Sequence, residues 1–162
     1  MSTKTALGRG DLPGALAAVV LVNVVGAAPA ALGGPDTAWF QSLVKPAIYP
    51  PPWLFGVVWT TLFTLAGVAL YLVWRANAGR SRTIALGLFV AQMALNVAWT
   101  PTFFLAQDLT LALGVVLALL ALLLPTVVAF SRVSRRAGLL LVPYLLWVAF
   151  AAVLNYRFVV VN

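Results

Sequence analysis

Apart from its tyrosines, this chain holds three aspartates, ten lysines and arginines, and no histidine, cysteine or glutamate. Thiolate nucleophiles, imidazole bases, disulfides and zinc sites of the usual ligands are therefore excluded. Asp11, Asp36 and Asp108 lie at the ends of apolar runs or in the segments between them. No acid–base pair is available for ordinary hydrolysis, and no ionisable group sits where a proton-coupled pump would need one. The side chains left for chemistry are aromatic rings and carboxamides. Flat rings bind other flat rings by stacking and burial, and an amide fixes orientation.

Those rings recur at helical spacing. Phe55, Trp59 and Phe63 follow one another at intervals of four. Gln92, Asn96, Trp99 and Phe103 fall within a sector of roughly 60° on a helix, and Tyr144, Trp147, Ala151 and Asn155 within about 80°. If the three stripes turn inward they line one cavity, with Ala151 leaving room for a ligand between Trp147 and Asn155. Asn96 is expected to offer a polar contact there, while Gln92 and Asn155 are expected to tie helices together. Ahead of Trp53 and Trp59 stands Pro50-Pro51-Pro52, which is expected to form a rigid, extended lead-in outside the helix.

The elements that carry these stripes must be membrane helices. The chain has 162 residues, 64% hydrophobic and 8% charged, against roughly 25% charged in a soluble domain. Five apolar stretches, near 13–32, 53–74, 83–106, 109–130 and 137–160, each reach the roughly 20 residues that cross the hydrocarbon core. With no water to satisfy backbone groups there, helices are required. The fold class is all-α: a polytopic membrane protein, one domain of five transmembrane helices over residues 1–162. Residues 1–30 mimic a cleavable leader, but the apolar run continues to about Leu32, so retention as the first span is expected.

Lys4, Arg9, Arg75, Arg80, Arg82, Arg132, Arg135 and Arg136 fall at one end of these spans, and Lys45 and Arg157 at the other. That bias predicts a cytoplasmic N-terminus, with loop 33–52 and the C-terminus on the opposite side. The formal charge of +7 is thus a topology signal beside membrane lipid, and no nucleic-acid partner is expected. The loop, long for a connection and rich in aromatics, is the expected lid; short connections imply that the second to fifth spans pack as successive antiparallel neighbours. The fourth span, with its small stripe of Gly114, Ala118, Ala121 and Pro125, is expected to be structural packing. Gly87, Ala91, Ala94 and Ala98 form a smooth stripe opposite the polar face of the third span, which packs helices within one chain or forms a homodimer face.

The ordered motifs resemble the TspO/MBR family, the tryptophan-rich sensory proteins. Trp39-Phe40, Lys45-Pro46 and Pro50-Pro51 resemble its W-Y…K-P…P-P loop, and Trp59-Thr60-Thr61-Leu62-Phe63 its W-T-x-L-Y segment. Gln92 through Phe104 resembles Q-x-x-L-N-x-x-W-x-P-x-F-F, and Pro143 through Asn155 resembles P-Y-L-x-W-x-x-F-A-x-x-L-N. Gly26 through Pro29 is similar to the end of the family's first helix. The resemblance implies a five-helix fold, usually dimeric, that binds porphyrins such as protoporphyrin IX or haem, with sterols in some members and no required cofactor or metal. Carried over by motif, the ligand residues are Phe40, Pro50, Trp59, Phe63, Asn96, Trp99, Trp147 and Ala151; the helical stripe adds Phe55. It also implies two further readings: light- and oxygen-dependent porphyrin breakdown with Trp59 and Trp147 as reactants, and porphyrin or sterol transport. Phe40 stands where many members have tyrosine, and Ile48 where an aromatic is usual. Arg157 directly follows Tyr156, which breaks the sterol-recognition pattern. Lys45 is expected to be a solvated cation, with a porphyrin propionate as its alternative partner.

Overall fold

In a computed structural model that describes residues 8–162, the chain is all-helical, with no strand among the described residues. Lys4, counted above among the cations of the N-terminal end, lies outside them. The helices are α1 (Leu12–Ala27), α2 (Ala38–Ser42), α3 (Pro52–Trp74), α4 (Gly79–Phe104), α5 (Leu109–Val133) and α6 (Arg135–Val161). A 3-10 turn, Ala28–Ala31, extends α1 beyond its last α-helical turn. Five helical segments, α1 with that turn and α3 to α6, are long and apolar enough to cross a membrane.

The boundaries follow local chemistry. Asp108 accepts a hydrogen bond from the Leu111 N–H at 2.8 Å and caps α5. Ser134 caps α6 through the Ala137 N–H. Helices α4 and α6 start before the first apolar residue, because arginines are good helix formers outside the hydrocarbon and span limits drawn at charges miss them. The proline expectation needs a correction. Pro51 is extended at the N-cap, but Pro52 is the first residue of α3; proline is welcome there because that N–H has no intrahelical partner anyway.

Neighbour order also differs from the short-loop expectation. The principal contacts pair α1 with α3, α3 with α6, α6 with α5 and α5 with α4, whereas α3 and α4 barely touch. A short loop constrains distance between helix ends, not packing along their length. The ring closes through the 3-10 turn after Ala27, which meets α4. Large apolar side chains such as Leu16, Val90, Leu124 and Leu146 face outward, as lipid requires. Arg75 at the end of α3 forms an ion pair with Asp11 at the start of α1, joining those two helices at one end. At the other end the Asn162 carboxamide brackets Val44, accepting its N–H at 2.8 Å and donating to its carbonyl at 3.1 Å. The lid loop is thereby fastened to the end of α6.

Candidate functional site

A cavity of about 370 Å³ runs beneath the loop, walled by α1, α3, α4, α5 and α6. Phe40, Phe55, Trp59, Phe63, Asn96, Trp99, Trp147 and Ala151 all line it. Pro50 does not; the roof is made by Gly33 to Pro35, Phe40, Tyr49 and Pro52. Pro50 stiffens the backbone one residue after the ring that reaches inward, so its role is in the loop and not in the wall.

Trp59 stacks on Phe63 at 5.2 Å between centroids, with the edge of Tyr144 at 6.1 Å. Trp147 packs edge-on against Phe55 at 6.0 Å and at a tilt against Phe150 at 5.1 Å. Each indole is thus held by its own neighbours while bordering the shared hollow. Phe40 is buried among Phe104, Phe158 and Tyr49, at 5.3, 5.7 and 5.9 Å. This roof is seated by aromatic packing and helped by Thr37, which caps α2 by accepting the Phe40 N–H. Burial raises the Tyr49 phenol above its ordinary value, so it remains a neutral hydroxyl at the mouth.

Lys45 is not the solvated cation expected from the sequence. It is half-buried, donates to the carbonyls of Phe40 and Leu43, and lies 4.3 Å from the centre of the Phe40 ring. It fastens the end of α2. No lysine, arginine or aspartate is among the lining residues, so the hollow carries no formal charge.

Asn96 and Asn155 both line the cavity and both tie helices, whereas Gln92 only ties them. Asn155 accepts from Trp99 Nε1 at 3.0 Å and donates to the Leu109 carbonyl at 2.9 Å, joining α4, α5 and α6. Gln92 accepts from the Tyr144 hydroxyl at 2.8 Å, and Asn96 donates to that same hydroxyl at 2.8 Å. Gln92 Nε2 and Trp147 Nε1 are buried without a hydrogen-bond partner.

Several wall residues escaped the reading of the sequence. Asn23, Gly26, Ala27 and Ala30 of the first span and Val116 and Leu119 of α5 also line the cavity, so the fourth span is not packing alone. Asn23 is a polar residue inside an apolar run and could have been singled out; the small or aliphatic residues look like those of any lipid-facing helix, and only bundle geometry marks them. Ala27, Ala30, Pro35, Pro52, Gly56 and Thr60 line the cavity and are also exposed. They place an opening on the side between the first span and α3, under the loop. The stripe of α4 is external: Gly87, Ala91 and Ala94 are exposed, Ala98 is half-buried, and nothing lies within 4 Å of a Cβ built on Gly87. Packing inside one chain does not account for it. Gly114, Ala118, Ala121 and Pro125 on α5 are exposed too.

This arrangement defines a class: an integral multi-pass helical membrane protein enclosing an uncharged, aromatic-walled hollow that opens sideways. The chain belongs to the TspO/MBR family, whose model matches residues 17–161. It is 41% identical over 126 residues to a translocator protein of Ovis aries, covering 76% of this chain and 75% of that one. It is 40% identical over 132 residues to the tryptophan-rich protein TspO of Chlorobaculum tepidum, covering 79% and 82%. With the tryptophan-rich sensory protein of Cereibacter sphaeroides it shares 37% over 133 residues, covering 80% and 82%.

Proposed function

We propose that this protein is a membrane receptor, sensor or carrier that binds porphyrins and related tetrapyrroles in the aromatic-walled cavity. Family membership supports a membrane sensor or transporter role. The observation that carries the finer reading is that Trp59 and Trp147, from different helices, border one uncharged hollow of about 370 Å³. A flat conjugated ring gains from stacking and from burial of its large apolar area, with few polar contacts needed. Carboxylates on such a ligand belong at the mouth, because burying them in an uncharged wall costs several kcal/mol. The opening between the first span and α3 gives access from the bilayer, where an apolar ring concentrates. Phe40 and Tyr49 close the roof over it.

Replacing both indoles, Trp59→Ala with Trp147→Ala, is expected to weaken protoporphyrin IX binding at least about tenfold, one stacking contact being worth roughly 0.5–1.5 kcal/mol beyond its area. Quenching of intrinsic tryptophan fluorescence on titration reads the wild type, and absorbance of the bound porphyrin reads the variant. Equal affinity in the two proteins would remove the cavity as the binding site. The exposed small stripe of α4 supports a homodimer through that helix, and the cation distribution supports a cytoplasmic N-terminus.

A further inference from the structure

Among the polar residues on the cavity wall, Asn96 is an amide whose orientation is set two side chains away. Gln92 and Tyr144 are wholly buried and Asn96 is 7% exposed. Tyr144 has one hydroxyl proton and donates it to Gln92 Oε1. Its oxygen is then left to accept, and it takes an N–H from Asn96 Nδ2. Asn96 borders the cavity, whereas Gln92 and Tyr144 do not. Nδ2 gives one of its two N–H groups to that hydroxyl, which fixes the amide plane and leaves Asn96 Oδ1 as an acceptor for a ligand. Of the other amides on the wall, Asn155 is engaged at both ends, and Asn23 is held through Nδ2 by Val19 and Thr64, which leaves its Oδ1 an acceptor as well. The Trp147 N–H is buried.

We infer that the Gln92–Tyr144–Asn96 chain makes Asn96 Oδ1 a fixed acceptor, so that the site selects flat aromatic ligands presenting an N–H or O–H over ligands of the same shape presenting a bare acceptor. The inference rests on the binding cavity proposed above and adds the polarity of its recognition. In a low-dielectric hollow, two acceptors facing each other repel, and neither can turn to water. Tyr144 and Gln92 are positioning residues: Tyr144 bonds Asn96, Gln92 bonds Tyr144, and neither borders the cavity. Both lie inside helices and are buried, so the amide cannot rotate without breaking the chain of bonds.

Carbazole and dibenzofuran test this, since they share a shape and differ in a ring N–H against a ring oxygen. Calorimetric titration of the detergent-solubilised full chain gives the affinity ratio, and the same ratio in Asn96→Leu removes any difference in micelle partitioning. The wild type is expected to favour carbazole by roughly fivefold or more over the Asn96→Leu ratio, the worth of one net hydrogen bond. Tyr144→Phe should move the ratio toward that of Asn96→Leu. Gln92→Leu should reverse it, because the freed tyrosine proton turns to Asn96 Oδ1 and the amide then offers Nδ2 to the cavity. A merely structural role for these residues would weaken both probes alike and leave the ratio fixed. Equal ratios in wild type and Asn96→Leu, or a wild-type preference for dibenzofuran, would overturn the inference, whether or not the tyrosine and glutamine variants fold. If protoporphyrin IX binds while the ratio is flat or neither probe binds, only this inference falls. If protoporphyrin IX also fails to bind, the cavity reading falls with it.

Discussion

Asn155 illustrates how one side chain holds three helices. Its oxygen takes the Trp99 indole N–H and its nitrogen serves the Leu109 carbonyl at the start of α5. Asn155→Leu keeps the size but leaves the half-buried Trp99 N–H unpaired and cuts the tie to Leu109, so a loss of about 1–3 kcal/mol is expected, read as a lower thermal midpoint in detergent. Asp11 works at the opposite end. Hydrogen bonding from Arg75, then from the Gly8 backbone N–H and the Tyr71 hydroxyl, draws its carboxyl down to about 2. An unfolded aspartate titrates near about 3.9. The ion pair therefore adds stability that is complete above about pH 4 and is lost as pH falls through about 2. The thermal midpoint of the wild type should drop across that window, and the Asp11→Asn variant should lack this component of the drop.

Helices α1 and α3 are brought together by glycine and then allowed to part. A Cβ on Gly67 would lie 2.5 Å from the Val19 Cα, a backbone atom that cannot swing aside. On Gly26 it would lie 2.4 Å from the Phe63 ring, which borders the cavity. Beyond that level, toward the loop, the exposed residues Gly56 and Thr60 face the opening. Gly67→Ala is expected to cost about 1–3 kcal/mol by forcing the helices apart, measured by thermal unfolding. A Cβ on Gly56 meets nothing within 4 Å, so Gly56→Leu should leave stability unchanged while slowing porphyrin association, measured by stopped-flow quenching. An unaltered association rate would place the access route elsewhere.

For the whole molecule, the outward surface carries the next level of assembly. Gly87, Ala91 and Ala94 are exposed on α4 in a single chain, and small residues let helices approach closely in lipid. Ala91→Leu puts bulk at the centre of that face and should shift the sedimentation profile toward monomer. An unchanged profile would take the stripe out of the interface. Ligand binding by the monomeric variant would show that the cavity is complete within one chain, as its lining residues imply.

Five membrane helices, their limits to within a few residues, and the inward set of Trp59, Asn96, Trp99 and Trp147 were legible in the sequence. Each is a local consequence: hydropathy over about 20 residues fixes a span, and the 100° step between neighbours fixes a face. Which helices touch was not legible, because a short loop tethers ends without choosing a packing partner. Only the tertiary structure placed α3 beside α6, brought Val116 and Ala27 to the cavity wall, turned Lys45 onto backbone carbonyls and moved Pro50 out of the lining. Those outcomes depend on close fit between distant surfaces, such as Gly67 against Val19. Periodicity within one helix says which side is inside, and only packing between helices decides what it meets there.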